Sequence, residues 1–282
     1  DEPVEYLGSD RRTVRDNIVL NAIGAPWGKK PSPNGLLGKS EGMCIYNDGT
    51  SSYTDYINNT MAYCRWGYFS NGGKYNTISG NTIYMVPNAV YGSSTGDIYG
   101  ITQTDYKGET WTTLEGNNYT NNTIVLGATN AGLGCGVANY ALEILNRGNT
   151  LPSDWTSSNN IYANPLDQTN PLIYSEVGVS GGPCSTLAQW KTGTGKDTGT
   201  TGSPITVSSA SSIKFEYATS SPKVLDLSAG YVDMKGVVQA CSRTIPAYSS
   251  VILLKKPNTT CTGGTADTTN PTVSITAPTN GS

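Results

Sequence analysis

The chain has 282 residues, 36% hydrophobic and only 14% charged, with a net charge of -3, 33 glycines, 18 tyrosines and no histidine. That length holds one large elongated domain, or one domain with a smaller partner, and the composition is that of a polar, turn-rich β protein. It excludes a basic nucleic-acid surface, an apolar membrane-spanning run, a Ser-His-Asp triad, a Cys-His pair and His-ligated zinc or copper.

In chain order, the first element is "VRDNIVLNA", with Asn17 at a bend and a strand from Ile18. "APWGKKPSPNGLLGKSEG" (25–42) reads as a loop leaving the body of the fold. The opening pattern then returns in "DYINNTMAY" (Asn59), "TISGNTIYM" (Asn81), "NYTNNTIVLG" (Asn122) and "SSNNIYANP" (Asn160). The gaps are 42, 22, 41 and 38 residues, which read as one single coil and three near-double coils. A unit of about 20 residues cannot bury its own apolar face and must stack on a neighbour. Asn tolerates the left-handed backbone of a tight bend. Repeated at one position of each coil, its side chain predicts an asparagine ladder. Between the copies, 86–116 suits a degenerate coil plus a lateral loop, and "GVANYALEILNRGN" (136–149) suits either a short helix or another coil.

After Pro165 the texture changes. "TLAQWKTGTGKDTGTTGSP" (186–204) is polar with a short helical start, and Trp155 and Trp190 are expected to pack this junction. "SIKFEYAT", "KVLDLSAGYVDMKG" and "YSSVILLKK" follow as a small antiparallel unit, with a hairpin at "GYVDMKG". That unit is expected to cap the open end of the stack, where an unpaired edge would otherwise remain. The expected division is 1–165 stacked coils, 166–206 irregular connection and cap, 207–257 antiparallel β domain, and 258–282 linker plus the start of a further module. Further domains of the same polypeptide are expected at both ends.

Six cysteines with no CxxC fit disulfides in an oxidising compartment. Of the 15 pairings that six cysteines allow, the expected set is Cys44–Cys64, Cys135–Cys184 and Cys241–Cys261.

For chemistry, the first half is best supplied. A lyase on acidic sugars must neutralise a carboxylate and abstract the neighbouring proton; Ca²⁺ held by Asp and Glu can do the first, and a Lys or Arg the second. The candidates are Lys39, Glu41, Asp48, Asp55, Arg65 and Lys74; of these, Glu41 to Asp48 and Arg65 to Lys74 are expected to fall on adjacent coils and share one lateral face. Turn formation is the competing reading for Asp48 and Asp55, and no metal-ligand or acid/base motif resolves. Trp27, Trp66, Tyr68 and Trp111 are the candidates for stacking on a sugar ring.

Three stretches resemble secreted right-handed parallel β-helix repeat proteins of Bacteroidetes type, in the pectate-lyase-like superfamily. "GGKYNTISGNTIY" is similar to the repeats. "SSNNIYANP" with "TLAQWKTGTGKDTGTTGSP" is similar to the end of the helix, where a "W…TGKD…S" segment follows the last coil. "FEYATSSPKVLDLSAGYVDMKG…IPAYSSVILLKK" is similar to a C-terminal β unit closing on an "SSVIL" strand. Together they cover roughly residues 12–256, and "NPTVSITAPTNG" resembles the start of an immunoglobulin-like module. The resemblance implies an all-β fold: a right-handed parallel β-helix followed by a small, antiparallel, sandwich-like capping unit. It also implies an extracellular or cell-surface location. Relatives include polysaccharide lyases, glycoside hydrolases, glycan binders and adhesins, and the fold alone does not choose among them. The expected function is a polysaccharide-binding or adhesive module that engages neither nucleic acid nor the membrane interior. The alternative is a lyase or hydrolase acting on an acidic polysaccharide in a lateral groove.

Overall fold

The structure, a computed structural model, describes residues 11–22, 42–48, 51–86, 98–105, 114–130, 135, 139–146, 151–170, 172–176 and 183–261. The first fifteen strands run in sets of three. The first set is β1 (Arg12–Arg15), β2 (Ile18–Leu20) and β3 (Met43–Asp48). The second is β4 (Thr54–Ile57), β5 (Thr60–Ala62) and β6 (Trp66–Asn71). The third is β7 (Thr77–Ser79), β8 (Thr82–Met85) and β9 (Tyr99–Asp105). The fourth is β10 (Asn118–Thr120), β11 (Thr123–Leu126) and β12 (Tyr140–Asn146). The fifth is β13 (Thr156–Ser158), β14 (Ile161–Ala163) and β15 (Ile173–Ser175).

Every third strand joins the same parallel sheet. Sheet A is β1-β4-β7-β10-β13, sheet B is β2-β5-β8-β11-β14, and sheet C contains β3-β6-β9-β12-β15. The result is five stacked coils, a topology compatible with a β-helix. The interior is apolar, with Ile78 and Tyr119 from sheet A, Met61, Ile83, Met85, Ile124 and Leu126 from sheet B, and Tyr68, Ile101, Leu142 and Ile144 from sheet C. The segment after Gly136 is therefore strand and not helix: β12 pairs with β9 and β15 over Tyr140–Asn146.

The bend between sheets A and B explains the recurring sequence. One residue there takes the left-handed conformation: Asp16, Asn58, Gly80, Asn121 or Asn159, with φ between 54° and 67°. Asp, Asn and Gly are the residues that adopt it at least cost. The next residue is Asn17, Asn59, Asn81, Asn122 or Asn160. Each of the first four donates its backbone N–H (2.8–3.1 Å) and its Nδ2 (2.9–3.1 Å) to the Oδ1 of the Asn on the next coil. The ladder expected from the five Asn positions is present. Because the bonds run directly from one Asn to the next, each gap is one coil. The near-double reading of the longer gaps is corrected: their extra residues lie mainly in the connections around sheet C, such as 21–42 between β2 and β3.

Beyond the fifth coil, β16 (Cys184–Ser185) pairs antiparallel with β15. Helix α1 (Leu187–Thr194) follows, started by a Thr186–Gln189 capping box and ended by Gly195 in the left-handed conformation. Thr198 and Thr201 bridge in parallel to Ser158 and Ile161, a partial sixth coil. Trp155 and Trp190 are fully buried there, edge to face at 6.4 Å.

The C-terminal unit has two antiparallel sheets. One is β17 (Ile213–Ala218), β21 (Ser249–Lys255) and β19 (Tyr231–Asp233), in the order β17-β21-β19. The other pairs β18 (Lys223–Asp226) with β20 (Ser242–Ile245). The alternation of β21 sends Val251 and Leu253 toward Leu225, Leu227 and Ile245. It sends Ile252 and Leu254 toward Ala62, Tyr84 and Val125 on the outer face of sheet B. Phe215 stacks on Tyr84 at 5.2 Å. The unit therefore lies along the flank of the stack, and its expected place over the open end is corrected. Sheet B has an apolar outer face that only a second layer can bury, whereas α1, β16 and the partial sixth coil already cover the last coil. All three expected disulfides, Cys44–Cys64, Cys135–Cys184 and Cys241–Cys261, are present and point to an oxidising environment. No described helix is long and apolar enough to cross a membrane.

Candidate functional site: the outer face of sheet C

Sheet C presents three rows of outward side chains, aligned across strands by their register. The first row is Trp66, Tyr99 and Tyr140. The Trp66 and Tyr99 rings stack at 5.5 Å and 11°, and Tyr140 follows at 6.2 Å. The Arg65 guanidinium lies 4.1 Å from the centre of the Trp66 ring, a cation–π contact. The second row is Tyr46, Phe69, Thr102, Glu143 and Tyr174. Tyr46 and Phe69 meet at 5.5 Å, and Tyr140 and Tyr174 at 5.5 Å. The third row is Asp48, Asn71 and Thr104.

A local repeat produces this face. "MCIY", "WGYF", "YGIT" and "YALE" each place a large residue, a small one, an inward apolar one and an outward one. The small residue is dictated by close approach. A Cβ on Gly67 would collide with Ile83 and the Gly100 carbonyl, and one on Gly100 with Ile124 and the Ala141 carbonyl. The spacing puts Trp66 and Phe69 on the same face, three residues apart, which breaks strict alternation.

Polar groups edge the rings. The Tyr46 hydroxyl donates to Asp48 Oδ1 (2.7 Å), as does Asn71 Nδ2 (2.9 Å). Thr104 Oγ1 donates to Asn71 Oδ1 (2.9 Å), and Thr102 Oγ1 to Glu143 Oε2 (2.8 Å). Glu143 is only 9% exposed, whereas Tyr46 is 47% exposed. Burial, then the charges of Glu176 and Glu143, push the Tyr174 hydroxyl above its ordinary pKa.

Of the sequence candidates, Asp48, Arg65 and Trp66 come together on this face. Asp55 does not. It lies on β4 in sheet A, held by Arg11 at 2.9 and 3.1 Å. Lys74 precedes β7 and pairs with Glu115 at 3.4 Å. The expectation that Glu41 to Asp48 and Arg65 to Lys74 share one lateral face is corrected at Lys74, because the chain leaves sheet C at Asn71 and enters sheet A at Thr77. Tyr68 is also corrected: it is fully buried, its ring edge to face with Tyr56 at 5.1 Å, so it packs the interior instead of meeting a sugar. Lys39, Glu41, Trp27 and Trp111 lie outside the described residues. Sequence reasoning missed Tyr46, Phe69, Tyr174 and Glu143; the four-residue repeat is the signal for Tyr46, Phe69 and Glu143. Among the described residues, no group of three or more Asp, Glu or Cys is placed to hold a metal ion.

Comparison with protein-family models, with curated proteins and with solved structures finds no match to this chain.

Proposed function

We propose that the protein is a right-handed parallel β-helix of pectate-lyase-like type, secreted or held at a cell surface, and that it binds polysaccharide on the outer face of sheet C. One observation carries the reading: the accessible rings Tyr46, Phe69 and Trp66, packed one against the next and edged by the Asp48–Asn71–Thr104 hydrogen-bond network, over the buried rings of Tyr99 and Tyr140. Sugar rings offer an apolar C–H face to an aromatic ring and a rim of hydroxyls to carboxylate and amide groups, so alternating rings and polar groups suit them.

A second reading, cleavage of an acidic polysaccharide on the same face, is favoured by Glu143. It is a nearly buried carboxylate beside Tyr174 on this face, with Arg65 over the Trp66 ring as a cation for an acidic substrate. Affinity electrophoresis against acidic and neutral polysaccharides tests the binding reading. Tyr46→Ala and Trp66→Ala should abolish retardation of the protein while its thermal melt stays cooperative. Unchanged retardation in both variants would sink it. Appearance of unsaturated products or new reducing ends, lost in Glu143→Gln, would favour cleavage over binding alone.

A further inference from the structure

A concavity lies on the opposite side of the stack from sheet C. It is a groove of about 760 Å³ between the A–B bends of the last coils and the turn after β19. We propose that this groove is a separate binding site for an oligosaccharide segment that carries both acetamido and carboxylate groups.

The lining is a set of polar groups held in fixed places. Asn121 and Asn159 occupy the left-handed bend positions of successive coils, with φ of 57° and 54°. Their amides therefore repeat at one strand spacing, about 4.8 Å. Both are exposed, and neither side chain has a hydrogen-bond partner among the described residues. Where the ladder residues beside them are saturated, these amides line the groove with donors and acceptors to spare, that of Asn159 lying against Gly199 of the next coil. The hydroxyls of Thr123 and Thr201 bracket Ile161 in the adjoining row. The far wall is Met234 and Lys235.

That wall is rigid. Asp233 Oδ1 accepts from the backbone N–H groups of Lys235 and Val237 at 2.9 Å each, and the tip at Gly236 comes up against Pro204. Lys235 is the one charged residue lining the groove, and it forms no ion pair among the described residues. An amide-lined groove with apolar patches at Ile161 and Met234 fits an acetamido group, whose N–H and C=O match a carboxamide and whose methyl needs an apolar contact. A single unpaired ammonium fits one carboxylate. The groove shares no residue with sheet C, so this site stands or falls apart from the one above.

Isothermal titration of the full 282-residue chain with a hyaluronan tetrasaccharide, its methyl ester and its de-N-acetylated form tests the proposal. The parent sugar should bind more tightly than either derivative. Lys235→Gln should weaken the acid about fivefold and leave the ester unchanged. Asn121→Ala with Asn159→Ala should weaken binding about tenfold or more. A thermal melt matching the parent protein shows that the variants fold. Equal affinity for the three sugars, no measurable binding, or variants that bind as the parent does would overturn it. Binding lost in Trp66→Ala but kept in the groove variants would also overturn it, while leaving the sheet C reading in place.

Discussion

Replacing Asn122 by Ala should be among the most damaging single changes to this protein. The side chain is fully buried. Its Oδ1 accepts from the Asn81 N–H (3.1 Å) and Asn81 Nδ2 (2.9 Å), and its Nδ2 donates to Ile78 O (2.8 Å) and Asn160 Oδ1 (3.1 Å). Two of the four partners keep another bond: Asn81 Nδ2 still reaches Tyr56 O, and Asn160 Oδ1 still accepts from the Asn122 N–H. The Asn81 N–H is left without a partner inside the stack, whereas the Ile78 carbonyl stays within the β7–β10 ladder. One orphaned buried group costs about 1–3 kcal/mol, so with the weakened remainder the loss is roughly 2–4 kcal/mol. Asn17 is the control. It heads the ladder, is exposed, and gives up only bonds to Arg15 O and Asn59 Oδ1, a loss below about 1 kcal/mol. Urea denaturation, with fluorescence and circular dichroism followed together, measures both. A cost for Asn122→Ala no larger than that for Asn17→Ala would refute the claim that the ladder holds the coils in register.

Cys44→Ser with Cys64→Ser opens a closure between residues 20 apart and should remove about 3 kcal/mol on the chain-entropy account; an unchanged urea midpoint would contradict it. For Asp167, burial alone would raise the carboxyl, but hydrogen bonds from Asn170, the Asn130 N–H and Thr129 prevail and hold it below its ordinary value. A lowered folded pKa adds stability above the unfolded value and loses it as pH falls through the folded one, so this contribution fades below about pH 4. Asp167→Asn should flatten that acid limb in thermal melts from pH 2 to 6, and an equally steep limb would count against it. Asp197→Ala removes the acceptor of Trp190 Nε1 (2.7 Å) and Ser157 Oγ (2.7 Å) at a fully buried site. It should lower the melting temperature and change the near-ultraviolet circular dichroism of the buried tryptophans; an unaltered spectrum would place the strain elsewhere.

The ladder was readable in the sequence because it rests on one residue type at one backbone position, with a strand after each copy. Coil length was not. The 22-residue gap between Asn59 and Asn81 and the 42-residue gap between Asn17 and Asn59 are each one coil, since a loop can lengthen between two sheets without disturbing the pairing on either side. The site was half readable for a related reason. Asp48, Arg65 and Trp66 stand on the outer face of sheet C, but Tyr68 does not. Strict alternation from Trp66 points Tyr68 outward, and the close approach at Gly67 reverses it. The flank position of the C-terminal unit depends on the outer face of sheet B. Its signal is Ala62, Tyr84 and Val125 one residue out of step with the interior set.

Direction is the property of the ladder that explains how it ends. Each inner Asn passes its N–H and one Nδ2 hydrogen forward, the other going back to a carbonyl of the preceding coil, so the chain of donors cannot close on another amide without leaving a surplus. The sixth step changes residue type. Gly199 keeps the left-handed bend, and Thr200 replaces Asn. Its Oγ1 accepts the Asn160 N–H at 3.0 Å and hands its own hydrogen to Asp197 Oδ1 at 2.8 Å. A carboxylate accepts and does not donate, so the sequence of bonds stops there. A second chain behaves the same way. Ile98 N donates to Asn139 Oδ1, Asn139 N to Asn130 Oδ1, and Asn130 N to Asp167 Oδ2. Two independent runs of amides each end on a buried aspartate. The "TGKD" segment after the last coil is thus a terminator set by hydrogen-bond polarity. Trp190 and α1 are held in place over the coil end by the same carboxylate that absorbs the last donor.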